Sequence, residues 1–152
     1  VSDFKDLEGR LQLLKVHNGI KIYNDNNATT PEATIASIEA FASPRPGIGA
    51  NIILICGGSD KNIPLTNFVK AINKYCKAIV LIPGNGTEKL AGFKLRVGSY
   101  KVENLIDAVE KALDQSKEGD IILFSPAFAS FGMFNNEYER NDLFMKIIKQ
   151  LK

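Results

Sequence analysis

Residues 24–34 combine groups that could hold a small charged ligand at the start of a helix. Pro31 suits a first helical turn, where its missing N–H is not needed, and Thr29 or Thr30 could cap the free N–H groups of that turn. Glu32 lies three residues after Thr29, the spacing of a capping box. A helix start carries a partial positive charge, so the segment predicts a site for a ligand with a carboxylate or a phosphate.

Asp25 and its asparagine neighbours come directly after a strand-like run at residues 20–23. A carboxylate at the tip of a strand could accept hydrogen bonds from ribose hydroxyls or approach a metal. The alternative is a solvated asparagine-rich loop, which is what such runs usually form. The position at the end of a strand and before a helix cap favours binding.

Residues 57–62 form a glycine turn that ends in a cation, Lys61. A carboxylate or phosphate could meet both the backbone N–H groups of the turn and the lysine ammonium. An ordinary strand-to-helix turn with a solvated lysine remains possible. The phosphate-binding motif Gly-x-x-x-x-Gly-Lys-Ser/Thr does not occur in the chain, so the sequence predicts no ATP hydrolysis by this chain alone.

Ser125 and Ser130 offer two hydroxyls, with small residues between them, after a strongly apolar run. They could approach a ligand closely or could simply form a tight turn. Neither has the surroundings of a nucleophile, because the only histidine is His17 in a hairpin and no Gly-x-Ser-x-Gly motif is present. Cys56 and Cys76 have no zinc-ligand spacing and are expected to be reduced, buried thiols.

The elements that would position these groups alternate between strand and helix. Asn18-Gly19 predicts a tight hairpin between residues 10–17 and 20–23. Hydrophobic periodicity predicts the remaining elements in this order: helix 31–41, buried strand 51–56, helix 64–75, buried strand 78–82, an exit turn at 83–86, a weaker strand 93–97, helix 102–115, buried strand 120–124 and helix 136–151.

This order predicts an α/β, Rossmann-like three-layer domain with a mostly parallel sheet and an N-terminal antiparallel hairpin or edge strand. Ligands of such sheets bind outside the carboxyl ends of the strands, where the strand order changes direction. The segments that follow those ends are residues 24–30, 57–62, 84–87 and 125–136. Three of the four contain the polar motifs described above.

Composition excludes several classes of protein. A formal charge of +2 with scattered lysines does not favour nucleic-acid binding, and no apolar run approaches the ~20 residues of a membrane span. No signal peptide is evident, so we expect a cytoplasmic protein. The absent initiator methionine suggests a fragment of a longer chain.

Residues 24–34, Asn-Asp-Asn-Asn-Ala-Thr-Thr-Pro-Glu-Ala-Thr, resemble the Asn-Asp-Ser-Lys-Ala-Thr-x-Pro-Glu-Ala-Thr signature of the C-terminal domain of the Mur ligases. Other segments agree in order and spacing. Residues 4–11 resemble the family's leading segment, residues 56–61 its Gly-Gly-x-x-Lys turn, and residues 123–130 and 140–144 its last motif. The similarity spans essentially all 152 residues and is closest to the branch that adds D-glutamate.

The resemblance implies one domain, 1–152, of an ATP-dependent ligase that adds D-glutamate to UDP-N-acetylmuramoyl-L-alanine through an acyl phosphate. It implies that Thr29, Lys61 and Ser130 hold D-glutamate, while Arg10, Asp25 and Asn27 lie at the nucleotide. No catalytic residue or metal ligand is expected here, because ATP and Mg²⁺ would be bound mainly by missing upstream domains. Residues 1–9 would form the hinge end, and the oligomeric state is expected to be monomeric.

The chain departs from the family pattern at six positions: Gly9 replaces histidine, Asn27 lysine, Phe128 cysteine, Gly132 aspartate, Glu137 an aromatic residue, and Asn141 glycine. The changes at Asn27 and Glu137 both weaken a site for a dicarboxylate. A sister ligase that adds a different amino acid therefore remains an alternative. A non-catalytic α/β binding or regulatory module is the other.

Overall fold

The computed structural model describes residues 7–42, 51–130 and 133–152, so the predicted loop at 43–49 and most of the predicted hinge at 1–9 lie outside it. The described residues form six strands and five helices in alternation: β1 (Gln12–His17), β2 (Ile20–Asn24), α1 (Pro31–Phe41), β3 (Ile52–Cys56), α2 (Thr66–Tyr75), β4 (Cys76–Leu81), α3 (Asn85–Ala91), β5 (Gly98–Lys101), α4 (Leu105–Asp114), β6 (Ile121–Phe124) and α5 (Glu137–Lys149).

The six strands form one sheet in the order β1-β2-β6-β3-β4-β5. All neighbouring pairs are parallel except β1 and β2, which are antiparallel. Asn18 and Gly19 join this pair with φ angles of 51° and 79°, as a two-residue hairpin turn requires. The predicted fold class and the antiparallel edge strand are confirmed.

Helices cover both faces of the sheet, which explains why its central strands are continuously apolar. Every residue of β3 is fully buried. One core packs α1, α2 and α3 against the sheet through residues such as Ile38, Phe68 and Leu90. The other packs α4 and α5 against the opposite face through residues such as Val109 and Phe144.

The region between β4 and β5 differs from the prediction. The predicted turn at 83–86 lies partly in helix α3, and the strand predicted at 93–97 is instead β5, Gly98–Lys101. Asn73 of α2 explains the second error, since its side chain donates to Lys94 O (3.2 Å) and accepts from Arg96 N–H (2.7 Å). These backbone groups are therefore bonded to a helix side chain rather than to β4.

The sheet has its topological switch point between β6 and β3. The chain leaves β3 through α2 towards β4, whereas it leaves β6 towards α5, which packs on β1 and β2. Loops that follow the carboxyl ends of neighbouring parallel strands diverge at such a point and leave a crevice. The loops after β2, β3 and β6 surround this crevice.

Candidate functional site

Backbone hydrogen bonds join the three loops at the switch point. The loop after β6 bonds to the loop after β2, because Ala127 N–H donates to Ala28 O (2.9 Å). It also bonds to the loop after β3, since Ser59 and Ala129 exchange two hydrogen bonds of 2.9 and 3.1 Å. The three segments predicted to bind a ligand therefore form one surface.

Thr29, Lys61 and Ser130, the three residues expected to bind an amino acid, each lie on one of these loops. Lys61 Nζ donates to Thr29 Oγ1 (3.2 Å), and the lysine is exposed. Ser130 is 2% exposed and directly follows the bridge residue Ala129. Among the described residues, Ser130 Oγ is the one buried side-chain oxygen or nitrogen without a hydrogen-bond partner. An unsatisfied buried hydroxyl costs roughly 1–3 kcal/mol, so a polar ligand there would be stabilising.

Thr30, rather than Thr29, caps helix α1. Its Oγ1 accepts from Ala33 N–H (3.3 Å), and Pro31 occupies the first turn as expected. The predicted capping box is wrong, because the box position three residues after Thr30 is an alanine and Glu32 comes one residue too early. Thr29 is consequently available to Lys61 and to a ligand.

The glycines of the turn after β3 do not present their backbone N–H groups to a ligand, so this part of the prediction is wrong for the glycines. Four consecutive groups donate inside the protein: Gly57 N–H to Pro126 O, Gly58 N–H to Thr87 Oγ1, Ser59 N–H to Ala129 O and Asp60 N–H to Asn85 Oδ1. A Cβ atom on Gly58, whose φ is 140°, would lie 2.3 Å from Ala129 O. The glycines therefore serve close packing, and the Lys61 ammonium is the group suited to an anion.

Asp25 lies at the bottom of a cleft of about 350 Å³, although it is only 2% exposed. Its Oδ1 accepts from Leu11 N–H (3.1 Å), and its Oδ2 accepts from Ser37 Oγ (2.5 Å) and Ser125 Oγ (2.6 Å). Burial raises the pKa of Asp25, while these hydrogen bonds and the nearby Arg10 charge act in the opposite direction. The carboxylate is thus a buried junction of three elements as well as a lining group of the cleft.

Arg10 and Asn27, the other residues expected at the nucleotide, line the same cleft as Asp25. Arg10 is exposed and supplies a cation at the rim. Asn27 instead holds the leading segment, because its backbone N–H donates to Gly9 O (2.8 Å) and its Nδ2 to Glu8 O (3.1 Å). The structure therefore brings all three predicted residues together, with Asn27 in a bridging position.

A second cleft of about 400 Å³ lies on the other side of Asn27. Its lining includes Thr29, one of the three residues expected to bind an amino acid, together with two carboxylates, Glu8 and Glu137. Glu137 is half-buried in the first turn of α5. The geometry therefore agrees with the predicted proximity of Glu137 to Thr29.

Three of the departures from the family pattern contact one another. A Cβ atom on Gly9 would lie 2.7 Å from Asn27 Oδ1 and 3.0 Å from Asn141 Oδ1. Asn141 Oδ1 in turn accepts from Asn24 Nδ2 (2.7 Å). The smaller residue at position 9 leaves the space that the larger residue at position 141 fills. Phe128 is a buried core residue, and Gly132 lies outside the described residues.

Arg140 joins the loop after β2 to the loop after β6, and no role was predicted for it from the sequence. It is completely buried, with Nε 2.6 Å from Asn26 Oδ1, Nη2 3.2 Å from Asn26 O and Nη1 3.2 Å from Phe128 O. Burial lowers its pKa to about 10, while the Glu137 charge acts in the opposite direction. Its spacing could have indicated that it is buried, because Arg140, Phe144 and Ile148 follow one another at intervals of four and so share the buried face of the helix.

The described residues contain no group of three or more His, Cys, Asp or Glu that could hold a metal ion. Cys56 and Cys76 are free and buried, as predicted. Across the same residues, none of the helices has the length and apolar character needed to cross a bilayer.

Comparison with known proteins identifies the family. The family model described as "Mur ligase, glutamate ligase domain" matches residues 9–128. The chain belongs to the Mur ligase family. A UDP-N-acetylmuramoylalanine–D-glutamate ligase of Thermoanaerobacter pseudethanolicus is 38% identical over 98% of this chain, and that of Borreliella afzelii is 37% identical over 99%. The chain spans 32% and 33% of these two relatives, about a third of their length.

Solved Mur ligase structures share the fold at low sequence identity. The MurF ligase of Thermotoga maritima, solved with ADP, aligns with a TM-score of 0.65 at 16% identity over 99% of this chain and 34% of its own. The murein peptide ligase of Psychrobacter arcticus aligns with a TM-score of 0.62 at 13% identity, over 99% of this chain and 32% of its own. The sheet and helices described above are therefore the Mur ligase fold of this domain.

Proposed function

We propose that this chain is the amino-acid-binding domain of an ATP-dependent ligase that adds D-glutamate to UDP-N-acetylmuramoyl-L-alanine. The observation that carries the proposal is the cluster of Thr29, Lys61 and the unpartnered Ser130 hydroxyl at the switch point. D-Glutamate ligases are also the relatives that match the whole chain. One cation and two hydroxyls suit the recognition of carboxylates.

In this proposal the domain positions D-glutamate and contributes no group that reacts. Lys61 binds one carboxylate of D-glutamate by a charge-assisted hydrogen bond, while the Thr29 and Ser130 hydroxyls hold the carboxylates. ATP transfers its terminal phosphoryl group to the carboxylate of the other substrate, which gives an acyl phosphate and ADP. The free amine of D-glutamate then attacks the acyl carbon, so that the amide C–N bond forms, the C–O bond to phosphate breaks and inorganic phosphate leaves. Holding the two reactants together replaces a bimolecular encounter, and this requires the domain to close on the rest of the ligase.

The cleft at Asp25 suits the rim of a nucleotide site. Asp25 can accept a hydrogen bond from a ribose hydroxyl, and Arg10 supplies a positive charge for the phosphates. The solved Thermotoga maritima relative binds ADP. We assign the phosphate-binding loop, Mg²⁺ and the UDP-linked substrate to the remainder of the full-length ligase.

The test uses the full-length ligase with Lys61→Ala. A charge-assisted contact is worth roughly 1.5–3 kcal/mol, so we expect KM for D-glutamate to rise about 10- to 150-fold. KM for the UDP-linked substrate should change little. Lys70→Ala is the matched control, because it also removes an exposed lysine, but one that lies in α2. Equal increases for both substrates would contradict the assignment and mark Lys61 as structural.

A ligase for an amino acid with a second amine is the other candidate. The observation that favours it is the pair of carboxylates, Glu8 and Glu137, in the cleft that Thr29 also lines. These charges would repel the distal carboxylate of glutamate and attract an ammonium group. Phosphate release by the full-length ligase, measured with D-glutamate and with diamino acids, separates the two candidates.

A further inference from the structure

The Asp25 carboxylate accepts from three separate segments of the chain, and its ionisation fixes the direction of each hydrogen bond. In its ionised form the carboxylate only accepts, so the hydroxyls of Ser37 and Ser125 then both donate to Oδ2, and Ser37 Oγ also lies 3.2 Å from Ala33 O. Because the Ser125 proton is then committed to Asp25, Thr34 is the donor in its 2.8 Å contact with Ser125 Oγ, and its hydroxyl also lies 3.3 Å from Ser125 O. A short proton-ordered chain therefore runs from Thr34 through Ser125 to Asp25.

The two oxygens of Asp25 differ in what they can still accept. A carboxylate has about four acceptor sites, two on each oxygen. Both sites of Oδ2 are filled by Ser37 and Ser125, whereas Leu11 N–H is the one donor to Oδ1 among the residues that the structure describes. The remaining acceptor site is therefore on Oδ1.

The backbone at Leu11 is strained in a way that serves this arrangement. Leu11 has a φ of 43°, a left-handed conformation that is uncommon for a non-glycine residue. Its N–H points to Asp25 Oδ1, and the preceding residue is Arg10 of the same cleft. Strain of this kind persists where the surrounding structure holds it, and it concentrates at ligand sites.

We propose that Ser37 and Ser125 are positioning residues for the nucleotide, which fix Asp25 so that Oδ1 accepts a ribose hydroxyl while Oδ2 stays bonded inside the protein. The inference rests on the proposed function, because it assumes that Asp25 meets a nucleotide. The serines act through Asp25 and do not themselves touch the ligand.

The two hydroxyls also favour the ionised, accepting form of Asp25 against the opposing effect of burial. Within the described residues, Arg10 is the charged group that acts on the carboxylate, while α1 and the loop after β6 present the neutral hydroxyls of Ser37 and Ser125 to it. Each hydroxyl lowers the pKa of Asp25 against the effect of burial. Removing one hydroxyl should therefore raise the pKa, and the anion would be lost at a higher pH than in the parent.

The experiment measures KM for ATP and for D-glutamate between pH 5 and 9 in the full-length ligase. Ser37→Ala is the deciding variant, since alanine is favourable inside a helix and the fold should be retained. We expect KM for ATP to rise about 10-fold and the acidic limb of kcat/KM for ATP to move up by about one pH unit. KM for D-glutamate should stay unchanged.

Three further variants complete the design. Ser37→Thr keeps the hydroxyl and should show the parent profile, whereas Ser125→Ala should reproduce the profile of Ser37→Ala. Ser116→Ala is the matched control, because it removes a serine hydroxyl that bonds to Leu113 O at the end of α4. Unchanged kinetics for ATP in Ser37→Ala would overturn the inference. So would equal rises of both KM values with an unmoved acidic limb, which would mean a purely structural serine. A parent enzyme that forms no product from ATP and D-glutamate would overturn the proposed function as well.

Discussion

A buried carboxylate determines how the stability of this domain should depend on pH. Burial raises the pKa of Asp25 above its ordinary value, so the ionised form is less favourable in the folded than in the unfolded chain. Its contribution to stability is fully present below the unfolded-state pKa and is lost as pH rises through the folded-state pKa. Asp25 therefore makes the folded state less stable at pH 7 than at pH 4.

We expect Asp25→Asn, which cannot ionise, to remove this dependence. The difference in melting temperature, variant minus parent, should be larger at pH 7 than at pH 4. A change of 1 kcal/mol in stability corresponds to about 2–4 °C. Thermal unfolding of both proteins across this range is the measurement. A relative melting temperature that falls towards pH 7 would mean that the hydrogen bonds outweigh burial.

Glu137 is the residue whose charge conflicts with a dicarboxylate ligand. It lines the cleft beside Thr29, so Glu137→Gln should lower KM for D-glutamate, with a repulsion on the order of 1 kcal/mol corresponding to about fivefold. If the natural substrate carries an amine there, the same variant should instead raise KM for that amino acid. Steady-state kinetics with D-glutamate and a diamino acid, with Glu139→Gln on the exposed side of the same helix as control, decides. Unchanged values for both would show that Glu137 does not face the ligand.

Motifs allowed the positions of single residues to be predicted, while their roles in binding stay predictions. The family signature led to Thr29, Lys61 and Ser130, and the structure brings Lys61 to Thr29. The role of Arg140 was not predictable. A buried arginine is tolerated only when its N–H groups are hydrogen-bonded, and two of its acceptors here, Phe128 O and Asn26 O, lie on loops outside its own helix. Sequence spacing carries no information about those partners.

At the scale of elements, helix α3 holds the turn that presents Lys61. Thr87 Oγ1 donates to Ile82 O (2.5 Å) and accepts from Gly58 N–H (3.3 Å), and Asn85 Oδ1 accepts from Asp60 N–H (2.8 Å). Lys89 Nζ also pairs with Asp60. The short helix is thus a support for the turn rather than a simple connection.

Thr87→Val keeps the shape of this side chain and removes its hydroxyl. Two buried backbone groups, Gly58 N–H and Ile82 O, would lose a partner, so we expect a loss of about 1–3 kcal/mol in the free energy of unfolding. Urea unfolding of the parent, Thr87→Val and Thr87→Ser measures it. Thr87→Ser retains the hydroxyl and should recover most of the loss, and equal destabilisation by both variants would assign the effect to packing.

Strong hydrophobic patterns predicted most elements of this chain, and tertiary contacts explain the exceptions. β3 and β6 are buried on both faces, so their continuous apolar runs are clear in the sequence. Helix α3 is only seven residues long and contains Gly86, which disfavours a helix by roughly 1 kcal/mol. It forms because Gly86 N–H donates to Gly58 O and Thr87 is bonded as described, contacts that no local pattern reveals.

At the scale of the whole molecule, the sites of this domain are partial. Arg10 and Asp25 line the cleft that we propose as the rim of a nucleotide site, and the chain contains no Gly-x-x-x-x-Gly-Lys-Ser/Thr loop for the phosphates. We expect the 152-residue chain alone to bind ATP weakly and to release no phosphate from it, with or without D-glutamate. Calorimetry and a phosphate-release assay are the measurements. ATP hydrolysis by the purified chain that survives Asp25→Asn would contradict the ligase proposal.

Arg140 links the two ends of the chain. The loops it joins contain Asn26 and Phe128, yet the guanidinium belongs to α5, which follows every strand of the sheet. On the ribosome, all six strands emerge before this helix does, so a growing chain can pair its strands while the loops still lack their common donor. We therefore expect the surface that we assign to the amino acid to form last, and a chain released before residue 140 should leave those loops exposed to proteases.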